Sequence, residues 1–154
     1  MSAENTPVEA PSNRQILQER VFNAPRELVF RAWTDPEHLR QWWGPKGFTN
    51  TFHEFDFRPG GVWSFVMHGP DGTNFPNKSI FVEIVKPDRI VLDHVVNPKF
   101  RLTATFVDLG SDKTKLTWHM LFETIAAYDS VKKFAIEGAI QNLDRLQAHL
   151  TQMI

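Results

Sequence analysis

Six histidines, one carboxylate set in an apolar run and an aspartate–histidine pair are the side chains of this sequence best suited to chemistry. His38, His53, His68, His94, His119 and His149 show no His-Glu-x-x-His, His-x-His or His-x-x-x-His spacing, so no metal-ligating face is expected. Cysteine is absent, which excludes disulfides, thiolate catalysis and cysteine-ligated zinc. Asp93 and His94 are neighbours, and a histidine reaching a cavity serves as a general acid or base. Adjacent strand residues point to opposite faces, however, so these two side chains are not expected to meet. Glu83 sits inside IFVEIV. Ile80, Val82 and Ile84 form the cleaner apolar face there, which sends Phe81 and Glu83 outward. If Glu83 faced a pocket instead, desolvation would raise its pKa and make it an acid or a ligand anchor. Glu83 and His94 are therefore the catalytic candidates, both weak. No Gly-x-Gly-x-x-Gly, phosphate loop, serine elbow or paired-carboxylate spacing supports catalysis, and no cofactor is expected.

The stronger signal is aromatic. The chain of 154 residues carries 13 Phe and 5 Trp against 1 Tyr, a balance that favours large dry surfaces over hydroxyl-tipped ones. Within TDPEHLRQWWGP, Trp42 and Trp43 stand together at the end of a short helical signal. Neighbours on a helix point in different directions, so one indole is expected to pack inward and the other to face a pocket. Trp63, Phe65, Met67, Leu102, Phe106, Trp118, Met120 and Phe134 complete a set that either walls a cavity or fills a core. Thioethers and aromatic faces suit recognition of hydrophobic molecules.

The elements that must position this set are legible from turns and periodicity. Residues 1–13 read as a loose, polar, proline-containing arm, and 14–154 as a single domain. A first strand over 14–22 precedes a helix begun by Pro25, with Leu28, Val29 and Ala32 on one face. Thr34 and Glu37 have capping-box spacing for a second short helix, which Gly44-Pro45 stops. Turn signals at 59–61, 70–72, 87–88, 97–98 and 110–112 cut residues 48–122 into six strands of an antiparallel meander. Residues 130–152 carry an apolar stripe of helical period, interrupted by Gly138, where a bulky neighbour is expected to come close. On GVWSFVMH, Trp63, Phe65 and Met67 share one strand face, and on TKLTWHMLF, Leu116, Trp118, Met120 and Phe122 do. One curved antiparallel sheet of about seven strands, with two short helices and a long C-terminal helix packed across it, is the simplest α+β arrangement.

The stretches VFNAPRELVFRAWTDPEHLRQWWGP, DFRPGGVWSFVMHGPDG, IFVEIVKPDRIVL and GAIQNLDRLQAHL resemble, in order, the START-like (SRPBCC) superfamily. Within it they are most similar to the branch that includes the C-terminal domain of the activator of the 90-kDa heat-shock-protein ATPase. The tandem-tryptophan segment and RPGG-x-W carry most of the likeness. The resemblance implies a helix-grip fold with a hydrophobic cavity between sheet and final helix. It also implies a range of functions: ligand carriage, cyclase-like catalysis, or regulation of a heat-shock ATPase in the stress response.

Charge narrows the partners. The formal net charge is -1 with no block of like charge, so neither nucleic acid nor an anionic membrane surface is an expected partner. The sequence carries no secretory apolar region and no run of ~20 apolar residues, and a cytoplasmic protein is expected. A small hydrophobic or amphipathic ligand is the leading expected partner. A homodimer through Trp43, Val62 and Val66, or a chaperone partner, are the others.

Overall fold

A computed structural model describes residues 13–154. The expected N-terminal arm, apart from Asn13, lies outside the described residues. The order of elements is β1 (Gln15–Phe22), α1 (Arg26–Thr34), α2 (Pro36–Trp42), β2 (Thr49–Phe55), β3 (Val62–His68), β4 (Asn74–Val85), β5 (Arg89–His94), β6 (Phe100–Gly110), β7 (Lys113–Phe122) and α3 (Ile125–Met153). Among the described residues the strands form one antiparallel sheet of seven, in the order β1-β7-β6-β5-β4-β3-β2. This is the α+β helix-grip arrangement. Register shifts at Phe52/Glu54, Phe81/Glu83 and Asp108/Gly110 add the local twist that bends strands. The concave face is covered at one end by α1 and α2 and crossed by α3, which packs against β1, β7, α1 and α2.

Strand parity holds where the pleat is unbroken. Trp63 and Phe65 of β3, and Leu116, Trp118, Met120 and Phe122 of β7, are buried on the concave face. It fails on β4. The bulge between Phe81 and Glu83 switches the alternation, so Phe81 is buried while Val82 is exposed. The apolar face expected from Ile80, Val82 and Ile84 is thus corrected: Ser79 and Phe81 point inward before the bulge and Ile84 packs on the core after it.

Two helix boundaries also differ from expectation. Asp35 caps α2, its side chain accepting from Glu37 N–H at 3.0 Å, because Thr34 is still the last residue of α1. α3 begins at Ile125, five residues before the expected start, with the Thr124 hydroxyl accepting from Ala127 N–H at 3.0 Å. Its first turn has little apolar periodicity, so the stripe reads only from Val131 onward. The RPGG turn behaves as its composition demands. Gly60 has φ +84°, and a Cβ on Gly61 would lie 1.9 Å from the Asp56 carbonyl oxygen, so only glycine fits there.

Candidate functional site

All five tryptophans meet in one cluster. Trp33 contacts Trp42, Trp43 and Trp118 at centroid distances of 5.2, 5.6 and 5.7 Å. Trp43 stacks on Trp118 at 5.5 Å with 24° between planes and meets Trp63 edge-on at 5.1 Å. The tandem pair divides because the helix ends between them. Trp42 is the last residue of α2, fully buried, and its indole N–H donates to the Ala32 carbonyl at 2.9 Å. Trp43 is the C-cap in extended conformation (φ −66°, ψ 136°), so its ring swings over the concave face. Trp43, also the candidate for a dimer surface, is partly buried, with its ring in contact with the four other indoles.

Between α3 and the sheet lies an apolar cavity of about 210 Å³. Its walls take Trp43, Phe65, Met67, Leu102, Trp118 and Met120 from the expected set. Three members of that set do not reach it. Trp42 is the anchor just described. Trp63 is covered by Phe65, whose ring stacks on it at 4.5 Å. Phe106 is wedged between Phe30 and Trp33 at 5.3 and 5.8 Å. The physical reason is that α1 fills its end of the concave face with Phe30 and Trp33, whereas α3 offers Ala135, Gly138 and Ala139 above the cavity. Small residues on the helix leave the space. Phe134 belongs to the mouth rather than the wall: it is 62% exposed, and it borders the cavity and two flanking grooves. A Cβ on Gly138 would lie 3.6 Å from Pro45 Cγ, an ordinary contact, so no bulky group forces glycine at this position.

Four polar side chains reach the cavity, Asn77, Ser79, His94 and Asn142. His94 Nδ1 faces the Pro98 carbonyl at 2.8 Å and Nε2 faces Asn77 Oδ1 at 2.6 Å, while Asn77 Nδ2 donates to the Phe75 carbonyl. Burial pushes the His94 pKa below its ordinary 6.5, favouring the neutral ring. Asn142 Nδ2 donates to the Trp42 carbonyl at 3.0 Å. One turn on, Arg145 holds the cavity's lip: Nη1 donates to the carbonyls of Trp43, Gly44 and Pro45 and Nη2 to that of Gln41, each at 3.0 Å. A guanidinium at the C-terminus of α2 satisfies carbonyls that the helix itself leaves open.

Sequence reasoning missed Asn77, Ser79, Asn142 and Arg145. A signal existed for the last two: Asn142 falls at helical spacing among Ala139, Leu143 and Leu146, a polar residue on an apolar stripe, and Arg145 flanks the same stripe. For Ser79 the bulge hid the parity.

Of the catalytic candidates, only His94 comes to the cavity. Glu83 is exposed on the opposite face and paired with Arg89 at 2.8 Å. That hydrogen bond and charge lower its pKa, the reverse of what a pocket would do. Asp93 also leaves the concave face, held by Arg101 through bonds of 2.7 and 3.0 Å. No second titratable side chain lines the cavity among the described residues. A different pair appears between α2 and α3, where His38 Nδ1 meets His149 Nε2 at 2.9 Å. Burial, and then the neighbouring His38, lower the His149 pKa. Among the described residues no three His, Asp or Glu side chains group to hold a metal ion, and no helix is long and apolar enough to cross a membrane.

Solved structures share this architecture. A crystal structure of a protein from Nitrosomonas europaea matches with TM-score 0.83 at 24% identity, covering 97% of this chain and 100% of that one. A solution structure of an Arthrobacter aurescens protein gives TM-score 0.85 at 24% identity over 94% and 90% of the two chains. A Chromobacterium violaceum protein gives 0.79 at 26% identity over 87% and 95%. No curated protein matches the sequence. The model of the "Activator of Hsp90 ATPase homolog 1-like protein" family matches residues 23–151, a span that includes the tryptophan cluster, the sheet from β2 to β7 and nearly all of α3, and the chain therefore belongs to that family.

Proposed function

We propose that this protein binds a small hydrophobic or amphipathic molecule in the cavity between the sheet and α3. The observation that carries this reading is the unfilled, aromatic- and thioether-lined space roofed by Ala135, Gly138 and Ala139. Apolar surface removed from water contributes roughly 25 cal/mol per Å², and a preformed, largely apolar cavity gathers that without rearrangement. The volume limits the guest. About 210 Å³ lies below the ~300 Å³ at which drug-sized pockets begin and above the ~150 Å³ that accepts benzene.

The test has two parts. Native mass spectrometry of freshly purified protein looks for a co-purifying small molecule. NMR titration with ethylbenzene is expected to shift the Trp118 indole and Met120 methyl signals while leaving Leu109, on the other face, unmoved. No shift at ethylbenzene saturation removes the proposal. Catalysis finds less support, because His94 is the one titratable side chain lining the cavity among the described residues and has no acid–base partner there. Family membership favours a second reading, regulation of a heat-shock ATPase. Absence of ATPase stimulation at saturating protein would eliminate it.

A further inference from the structure

The cavity's polar groups say what kind of guest it takes, on the reading that it is a binding site. No carboxylate, guanidinium or ammonium lines it among the described residues. A charged guest would leave water without a counter-charge, which is far more costly than moving a neutral one. His94 and Asn77 are turned toward each other and toward the Pro98 and Phe75 carbonyls, and the neutral ring donates through one nitrogen only. Ser79 stands directly across from His94 on the neighbouring strand, is 3% exposed, and lines the cavity with a hydroxyl that makes no hydrogen bond among the described residues. Unlike the buried, unpartnered indole nitrogens of Trp33, Trp63 and Trp118, this hydroxyl is not sealed off, so it can donate to or accept from a molecule in the cavity. Across the cavity, Asn142 gives its amide N–H to Trp42 and keeps its oxygen, an acceptor only, unpartnered. A guest hydroxyl suits both walls: it donates to or accepts from Ser79 and can donate to Asn142. The ring-sized volume and the stacked Trp43 and Trp118 faces suit an aromatic body.

We infer that the guest is an uncharged single-ring molecule carrying a hydroxyl, of the phenol class, with the hydroxyl hydrogen-bonded to Ser79 Oγ and the ring against Trp43 and Trp118.

The experiment is calorimetric titration at pH 7.5 with ethylbenzene, 4-ethylphenol and 4-ethylbenzoate, on the full chain and on Ser79→Ala. Ser79→Ala is expected to lower the ratio of 4-ethylphenol to ethylbenzene affinity by about fivefold, the worth of one neutral hydrogen bond, with ethylbenzene itself unchanged. On the unaltered chain, 4-ethylbenzoate is expected to bind at least ~100-fold more weakly than 4-ethylphenol. A ratio unmoved by Ser79→Ala, or a benzoate that binds as well as the phenol, overturns the inference and leaves the cavity reading standing. If ethylbenzene itself does not bind, the cavity reading fails and this inference goes with it. Thermal melting confirms that Ser79→Ala is folded. Should it not be, Ser79→Cys, which keeps the volume and weakens the hydrogen bond, provides the same ratio.

Discussion

Arg145→Met isolates the contact that keeps the cavity's lip in place. The methionine keeps most of the aliphatic stem and removes the guanidinium, whose two terminal nitrogens reach four backbone carbonyls between Gln41 and Pro45 at 3.0 Å each. Hydrogen bonds to a charged donor are worth ~1.5–3 kcal/mol each where buried. Three of the four share Nη1, which has only two hydrogens, so they count as fewer than three full bonds. The group is half-buried, and burial lowers its pKa, so part of the gain is offset by desolvation and the freed carbonyls regain some water. The net expectation is a loss of about 3 kcal/mol. For a chain of this size that lowers Tm by roughly 6–12 °C. Urea unfolding is the assay, with Cm falling at constant m, and near-UV circular dichroism of the folded state reports the Trp43–Trp118 stack. Arg145→Lys should recover less than half the loss, because one ammonium cannot span Gln41 and Pro45 together. A loss under about 0.5 kcal/mol for Arg145→Met, with the near-UV spectrum intact, would refute the reasoning: the lip would then be held by water and by the turn itself.

Gly138→Ala should stabilise the protein by about 1 kcal/mol in thermal melts, since helix propensity improves and the new methyl meets Pro45 at an ordinary 3.6 Å. Destabilisation would mean that α3 lies closer to the lip than described. Gly61→Ala should cost at least about 2 kcal/mol in urea Cm, because its Cβ would collide with the Asp56 carbonyl. Both His94 and His149 have folded-state pKa values below 6.5, so below 6.5 the unfolded chain binds more protons. Stability should therefore be full above that pH and decline as pH falls through the two folded-state values. The slope is at most about 1.4 kcal/mol per pH unit for each histidine. Urea melts from pH 8 to 5 check this, and a flat profile in His94→Gln/His149→Gln identifies the groups.

The meander was legible because each of its turns is written in Gly, Pro, Asn or Asp, and because Trp63–Phe65 and Trp118–Met120 alternate on unbroken strands. β4 was not legible. Parity assumes an intact pleat, and nothing in IFVEIV announces the bulge at Phe81/Glu83, so Phe81 and Val82 were assigned to the wrong faces while the outward reading of Glu83 stood. The tandem tryptophans were legible as a pair that diverges, since Gly44-Pro45 ends the helix. Which indole turns which way depends on the helix ending between them, and boundaries of one residue lie below what capping patterns resolve. The aromatic set could be assigned to the concave face but not divided into core and cavity wall. That division is set by what crosses above it, Phe30 and Trp33 on α1 or Ala135, Gly138 and Ala139 on α3, and strand patterns carry no information about the opposing layer.

The small residues of α3 leave the space, and two polar residues on the same helix bear on why it does not close. A helix lying on a concave sheet gains by sinking toward it until its side chains fill the space. Asn142 and Arg145 oppose that by tying α3 to the backbone of Gln41–Pro45, a segment anchored independently through Trp42 and its bond to Ala32. The helix is thereby held to the lip rather than free to descend onto Leu102 and Met120. The cost of an unfilled space grows with its volume, at roughly 24 cal/mol per Å³ in one well-studied protein core. An enclosed void of this size would carry a penalty of several kcal/mol, and because this one has a mouth at Phe134 that figure is its upper bound. Such a penalty is retained where something else returns it, and a bound guest does so whenever it is present. The same ties therefore predict the response to their removal: with Asn142→Leu and Arg145→Met combined, α3 should settle onto the sheet. Ethylbenzene shifts at Trp118 should vanish while the far-UV spectrum stays native, and persistence of those shifts would show that the small residues of α3, not its tethers, hold the space open.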